Sequence, residues 1–237
     1  MRVTRMAIAV STAALAVAGL TACGGDSEEK SNAGTDAKVL ADEALALLKG
    51  VDAYKMVGGG KSEEMTMDWD ICIKGSDLTG SMKMDGSPVE MIKIGKDLFM
   101  KADAAFWAKT MGGEVEEAST KDAALKLMDG KYVKTPADDG FGDPTDFFDG
   151  STDGVVKGEV VTIDGMKLIP LSKKQKDEED TTTLYVAEKG KPYPILVKVE
   201  GGTTLNLKIT KGKTKCAPTA PPADQVVDQG ALEKLDG

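Results

Sequence analysis

Apolar and polar residues alternate along "MTMDWDICIKG", Met65 to Gly75, and that period of two places Met65, Met67, Trp69, Ile71 and Ile73 on one face of a strand. Cys72 falls on the other, polar face. Similar short runs precede and follow it: 54–57, 78–84, 89–94 and 98–101, the later ones separated by the turn signals "DGSP" and "GKD". Their close spacing suits antiparallel hairpins and leaves no room for crossover helices. The first departure from this rhythm lies upstream, where "DAKVLADEALALL", residues 36–48, repeats apolar positions at Leu40, Ala44, Leu47 and Leu48. That spacing predicts a helix with one apolar stripe, capped by Thr35 or Asp36 and ended by Gly50.

The middle of the chain breaks the strand pattern again. Residues 106–111 are short and apolar, "STKDAALKLMDG" reads as a capped helix ending at Gly130, and "KYVKT" as a further strand. Four more strands are predicted at 159–171, 182–187, 193–200 and 203–210. A meander of roughly ten strands with two or three helices is an α+β chain: one large curved antiparallel sheet carrying its helices on the concave face.

The N-terminus changes the picture from fold to compartment. Arg2 and Arg5 precede an apolar, Ala-rich run from Met6 to Leu20, the layout of an export signal and too short for a bilayer span. It ends in "LTAC", which resembles a bacterial lipobox. The resemblance implies cleavage before Cys23 and a diacylglyceryl group on its thiol, two acyl chains being enough for stable anchoring. The expected organisation is a signal peptide over 1–22, a lipidated Cys23 with a flexible tether to residue 35, a single domain over 36–216 and a Pro-rich tail over 217–237. The expected location is the outer face of the cytoplasmic membrane. A polar, Gly/Ser-rich tether of that length has a typical reach of roughly 20 Å.

Charge and cysteines follow from that compartment. The chain has 30 basic and 39 acidic residues, and losing Arg2 and Arg5 with the leader leaves a net charge of −11. Such a surface disfavours nucleic acid and gains nothing from anionic headgroups, so the lipid has to hold the protein to its membrane. With Cys23 spent on lipid, Cys72 and Cys216 remain in an oxidising space, where pairing is the simplest outcome. Two free reactive thiols would need nearby bases, and the chain contains no histidine.

Several motifs point to chemistry and are outweighed by plainer readings. "GGGKS", 58–62, looks like the end of a phosphate-binding loop but has Lys55 where the motif needs glycine; it reads as a turn between strands. "SEEK", 27–30, has the S-x-x-K spacing of penicillin-binding enzymes but lies in the tether. Without histidine the usual Ser-His and Cys-His pairs cannot form, and no carboxylate pair stands out among so many surface acids. The loop holding Asp138, Asp139, Asp143, Asp146, Asp149 and Asp153 offers oxygen ligands for calcium without EF-hand spacing, and Asp and Gly are also what turns require. "KKQKDEED", 173–180, reads as a solvated hairpin tip. No cofactor and no catalytic residue is indicated, and the chain is read as a monomeric binding protein, not an enzyme. The methionines carry more. Met65 with Met67, and Met82 with Met84, would meet if their strands pair. The result would be core filler, the lining of a lipid cavity, or a thioether site for Cu(I).

A family resemblance gathers these features. The lipobox, tether and helix are followed by "DLTGSMKMDG", "IGKDLFMK" with Trp107 after it, "GEVVTIDGMKLIPL", "TLYVAEKGKPYPILVKVEG" leading into "LNLKIT", and a Pro-rich end. Together they resemble the actinobacterial LppX/LprAFG lipoproteins, which share the LolA-like half-barrel fold. "FGDPTDFFDG" matches the family's Asp-Pro loop near the cavity mouth only loosely. The resemblance implies a cavity between sheet and helices that holds an acylated lipid or glycolipid. The residues expected to line it are Leu40, Leu47, Met65, Met67, Trp69, Ile71, Met82, Met84, Ile92 and Leu207. The alternatives are a cell-envelope interaction protein with a filled core, and a methionine-based copper-binding lipoprotein.

Overall fold

The computed structural model describes residues 29–63, 65–110, 118–137, 144–175, 179–212, 216–228 and 230–231. Over these the chain is an α+β structure built on one open sheet of thirteen strands. In chain order the helices are α1 (Ala37–Lys49), α2 (Ala104–Thr110) and α3 (Ala118–Met128). The strands are β1 (Tyr54–Lys61), β2 (Thr66–Lys74), β3 (Asp77–Met84), β4 (Ser87–Ile94), β5 (Asp97–Ala102), β6 (Tyr132–Pro136), β7 (Val156–Lys157), β8 (Val161–Ile163), β9 (Met166–Lys174), β10 (Thr181–Ala187), β11 (Pro194–Glu200), β12 (Thr204–Lys211) and β13 (Val226–Asp228). The spatial order is β13-β6-β5-β4-β3-β2-β1-β12-β11-β10-β9-β7, with β8 pairing β9. Every pairing is antiparallel except that of β13 with β6. No helix among the described residues is long and apolar enough to cross a membrane.

Local chemistry accounts for most element ends. Asp36 caps α1 by accepting from the backbone N–H groups of Lys38 and Val39, and Gly50 closes it by donating to Ala46 O. The buried stripe of α1 is Leu40, Ala41, Ala44, Leu45 and Leu48, so Leu47 lies at its edge, half-buried. The segment read as a single strand over 159–171 is a hairpin instead. Asp164 and Gly165 both adopt positive φ, the conformation a two-residue hairpin turn needs, and separate β8 from β9.

The run Gly58–Ser62 is also placed differently from its sequence reading. Gly58, Gly59 and Gly60 belong to β1, paired on both sides, and the turn falls at Ser62–Met65. Close approach explains the glycines. A Cβ on Gly60 would lie 2.1 Å from Thr204 O, and one on Gly80 in β3 would lie 2.3 Å from Asp70 O. No side chain fits against a neighbouring backbone at that range.

Both ends of the domain are tied more firmly than the sequence suggests. Within the expected tether, the Asn32 N–H donates to Glu188 O, and its side-chain amide donates to Ala187 O and Gly190 O. Ser31 bonds Glu188, and Lys157 donates to the carbonyls of Ala33 and Thr35. Docking against the β10–β11 hairpin has therefore begun by Lys30, whose carbonyl accepts from the Gly190 N–H. At the other end, the expected tail supplies β13, whose Val227 is buried opposite Val133. The domain thus extends past Cys216. That cysteine is disulfide-bonded to Cys72, with 5.7 Å between their Cα atoms, beside buried Ala53.

Candidate functional site

The helices cover one face of the sheet, and the strand register assigns its lining. Three rows of inner-face residues run across the central strands. One is Ile209, Met56, Ile71, Gly80, Met91, Met100 and Val133. The next is Val197, Leu207, Gly58, Trp69, Met82, Val89 and Ala102. The third is Val199, Leu205, Gly60, Met67 and Met84. The first row is buried except at Gly80 and Met100, whereas every member of the third is only half-buried. Coverage thins toward the end of the sheet that holds the β3–β4 turn. Trp69 and Met82, in the middle row, are already partly uncovered.

The thinly covered strip is apolar and lacks bulk. Gly58 and Gly60 put no side chain into it, and Gly58 stands directly opposite Trp69. The other neighbour of Trp69 is Met82, and Met67 pairs with Met84. Flexible thioethers around a large ring make a wall that repacks at low cost. Helices α2 and α3 contribute to the same apolar cluster, with Trp107, Ala124 and Met128 buried in it and Phe106 and Leu125 packed against it. Asp103 caps α2, accepting from Phe106 N at 2.7 Å, and the Phe106 and Trp107 rings meet edge to face at 5.1 Å. An ion pair from Lys109 to Asp85 holds α2 beside the β3–β4 turn. Lys109, followed by the Thr66 backbone N–H, holds the Asp85 carboxyl below its ordinary pKa.

Two polar atoms inside this apolar cluster have no partner. The indole Nε1–H groups of Trp69 and Trp107 are buried and unbonded. Other polar groups turned inward are satisfied: Lys93 Nζ donates to Ser76 O at 2.6 Å, and Lys173 Nζ donates to Phe148 O and Ser151 O at 2.7 Å each. Lys173 belongs to the segment read as a solvated tip, yet it is buried, seated on the carbonyl that ends the 3-10 turn Pro144–Phe148 and on that of Ser151.

The expected lining residues separate into groups. Met67, Trp69, Ile71, Met82, Met84 and Leu207 share the inner face, and Leu40 is fully buried on the inward stripe of α1. Met65 precedes β2 and is half-buried. Ile92 lies on the opposite face, because its register partners are Thr79 and Phe99 while Val89, Met91 and Lys93 point inward. Alternation in "PVEMIKI" has two apolar phases, and the inner phase ends in a lysine whose head reaches a turn carbonyl. Trp107 is absent from the expected lining; the helix-capping Asp103 is the sequence signal that could have placed it. Of the acidic loop, Asp138, Asp139 and Asp143 lie outside the described residues. Asp153 pairs with Lys38 at 3.2 Å, and no cluster of three metal-ligating carboxylates, cysteines or histidines occurs among the described residues. Cys23 and the expected signal peptide over 1–22 also lie outside them. Clefts on the exterior include one of 350 Å³ between α1 and residues 150–152, one of 420 Å³ beside Lys189, Lys191, Tyr193 and Lys211, and one of 200 Å³ beside Gly59, Glu200 and Asn206.

No protein-family model and no curated protein matches the chain. Solved structures similar to it include two mycobacterial proteins and one from Thermus thermophilus. LprF from Mycobacterium bovis is 12% identical, with 80% of this chain and 97% of that chain covered and a TM-score of 0.45. Lipoprotein LppX from Mycobacterium tuberculosis is 10% identical, with coverages of 76% and 98% and a TM-score of 0.46. An uncharacterized conserved protein from Thermus thermophilus is 12% identical, with coverages of 81% and 99% and a TM-score of 0.46.

Proposed function

We propose that this protein is a lipid-anchored, extracytoplasmic binding protein that holds an acyl lipid or glycolipid between its sheet and helices, for carriage or presentation at the cell envelope. The observation that carries the reading is the half-covered apolar strip of Gly60, Met67, Trp69, Met82, Met84 and Leu205 at one end of an otherwise well-buried inner face. An acyl chain laid there gains about 0.8 kcal/mol per buried methylene, so even part of one chain binds usefully. The export signal and the lipobox-like "LTAC" support anchoring through Cys23. The first row, buried except at Gly80 and Met100, favours a rival reading, an envelope interaction protein whose core is complete. A copper site is less well supported, since Met82 faces Trp69 instead of a second thioether and Met65 lies outside β2.

Native mass spectrometry of the mature chain carrying Cys23→Ser, made in bacterial cells, tests the proposal against a denatured control. A population with a lipid-sized extra mass that denaturation removes is the expected result. Clean apoprotein in repeated preparations, with no uptake of offered diacyl lipid, overturns it and favours the complete-core reading.

A further inference from the structure

The two unbonded indoles define what the ligand must contain besides hydrocarbon. An indole Nε1–H is a donor and never an acceptor, and leaving it buried without a partner costs about 1–3 kcal/mol. Trp69 and Trp107 are the only tryptophans in the chain, and both are in this condition. They come from different elements and meet the same apolar cluster. Trp69 is opposite Met82 on the sheet. Trp107 is two residues before Lys109, whose ion pair to Asp85 sets α2 over the end of β3. Buried lysines elsewhere in the domain find carbonyls, so the chain does supply acceptors where it turns polar groups inward. Here it supplies none.

We infer that Trp69 and Trp107 are ligand-recognition residues that donate hydrogen bonds from Nε1–H to carbonyl oxygens of an ester-bearing lipid held in the apolar strip. This rests on the proposed lipid binding and adds a chemical requirement to it. A pure hydrocarbon leaves both donors unsatisfied. A carbohydrate headgroup brings acceptors but also many hydroxyl donors, for which thioether sulfurs are only weak acceptors. An ester carbonyl brings an acceptor without a donor, attached to the acyl chain that fills the strip.

The test uses two probes matched in chain length, 1,2-dipalmitoylglycerol and its ether analogue 1,2-dihexadecylglycerol, which lacks the carbonyls. They are offered together to the mature Cys23→Ser chain, and the bound ratio is read by native mass spectrometry. One satisfied donor of ordinary net strength corresponds to about a threefold to tenfold preference, so the ester is expected to win by roughly tenfold. Trp69→Phe and Trp107→Phe each keep an aromatic ring and remove the N–H, and each is expected to cut the preference to about threefold. A readout independent of substitution is the pair of indole N–H resonances, one from each tryptophan. Both are expected to shift downfield when the ester is added and to stay nearly fixed with the ether. Equal binding of the two probes with unmoved indole resonances overturns this inference and leaves lipid binding standing. Failure of both probes to bind overturns both.

Discussion

Replacing Gly60 with alanine is expected to reverse the sign that this change usually carries in a strand. Alanine restricts the unfolded chain and ordinarily gains about 0.5–1 kcal/mol over glycine where the backbone accepts it. At Gly60 the new Cβ would sit 2.1 Å from Thr204 O, 3.0 Å from Leu205 Cα and 3.0 Å from Leu205 Cδ1. Two of those atoms are backbone, so no rotamer change relieves the overlap. β12 has to move away from β1 at the register pairs Gly60–Leu205 and Lys61–Thr204. Weakening one or two ladder hydrogen bonds costs about 1 kcal/mol each, and overpacking typically adds 1–3 kcal/mol. The net expectation is a destabilisation of about 2–4 kcal/mol, a large share of a typical domain's stability. Urea unfolding with the disulfide intact, followed by tryptophan emission, measures it through the midpoint at constant slope. Gly34→Ala is the control, because a Cβ there meets nothing within 4 Å. A Gly60→Ala protein as stable as the parent would refute the claim that strand proximity demands this glycine.

Other expectations follow from single contacts. Asn32→Ala removes the two side-chain bonds to Ala187 O and Gly190 O; it should cost about 1–2 kcal/mol and raise deuterium uptake over residues 30–35. Phe148→Ala empties a site with no solvent exposure beneath α1, and a loss of about 3–5 kcal/mol in denaturant unfolding is expected. The Tyr132 phenol is pushed up to about 12, first by burial and then by its 2.7 Å hydrogen bond to Glu90. The folded state therefore favours the protonated phenol, so the associated stability is present below the ordinary tyrosine pKa and is lost as pH rises toward 12. Absorbance titration at high pH should show a late step that Tyr132→Phe removes. Glu90→Gln should move that step only partway down, because burial remains.

Much of this architecture was legible in alternation. The faces of β2, β3, β10, β11 and β12 follow from period-two patterns such as "TLNLKIT", and α1 follows from its cap and stripe. Where the reading failed, a tertiary partner decided the outcome. "GGGKS" has the punctuation of a turn, but β2 and β12 pair with it on both sides and keep it extended. The Pro-rich tail has no strand pattern, and β13 exists because β6 has an open edge and Val227 a place to bury. Ile92 shows that alternation fixes two faces without saying which one is inside. At the candidate site, Met67, Trp69, Met82 and Met84 were readable as one face. Trp107 was not, because Asp103 signals only the start of a seven-residue helix, and an ion pair between Lys109 and Asp85, distant in sequence, positions it.

The docking of Asn32 against the β10–β11 hairpin bears on which way up the molecule would ride. With Cys23 as anchor, only about seven residues separate the lipid from the docked segment, about 25 Å even when fully stretched. A mooring that short, made fast at one end of the sheet, would bring the Lys189–Gly190–Lys191 turn down toward the headgroups. The strip around Trp69 and Met84 opens at the opposite end of the strands. A bound lipid would then be carried with its exit pointing outward, away from the bilayer that holds the protein.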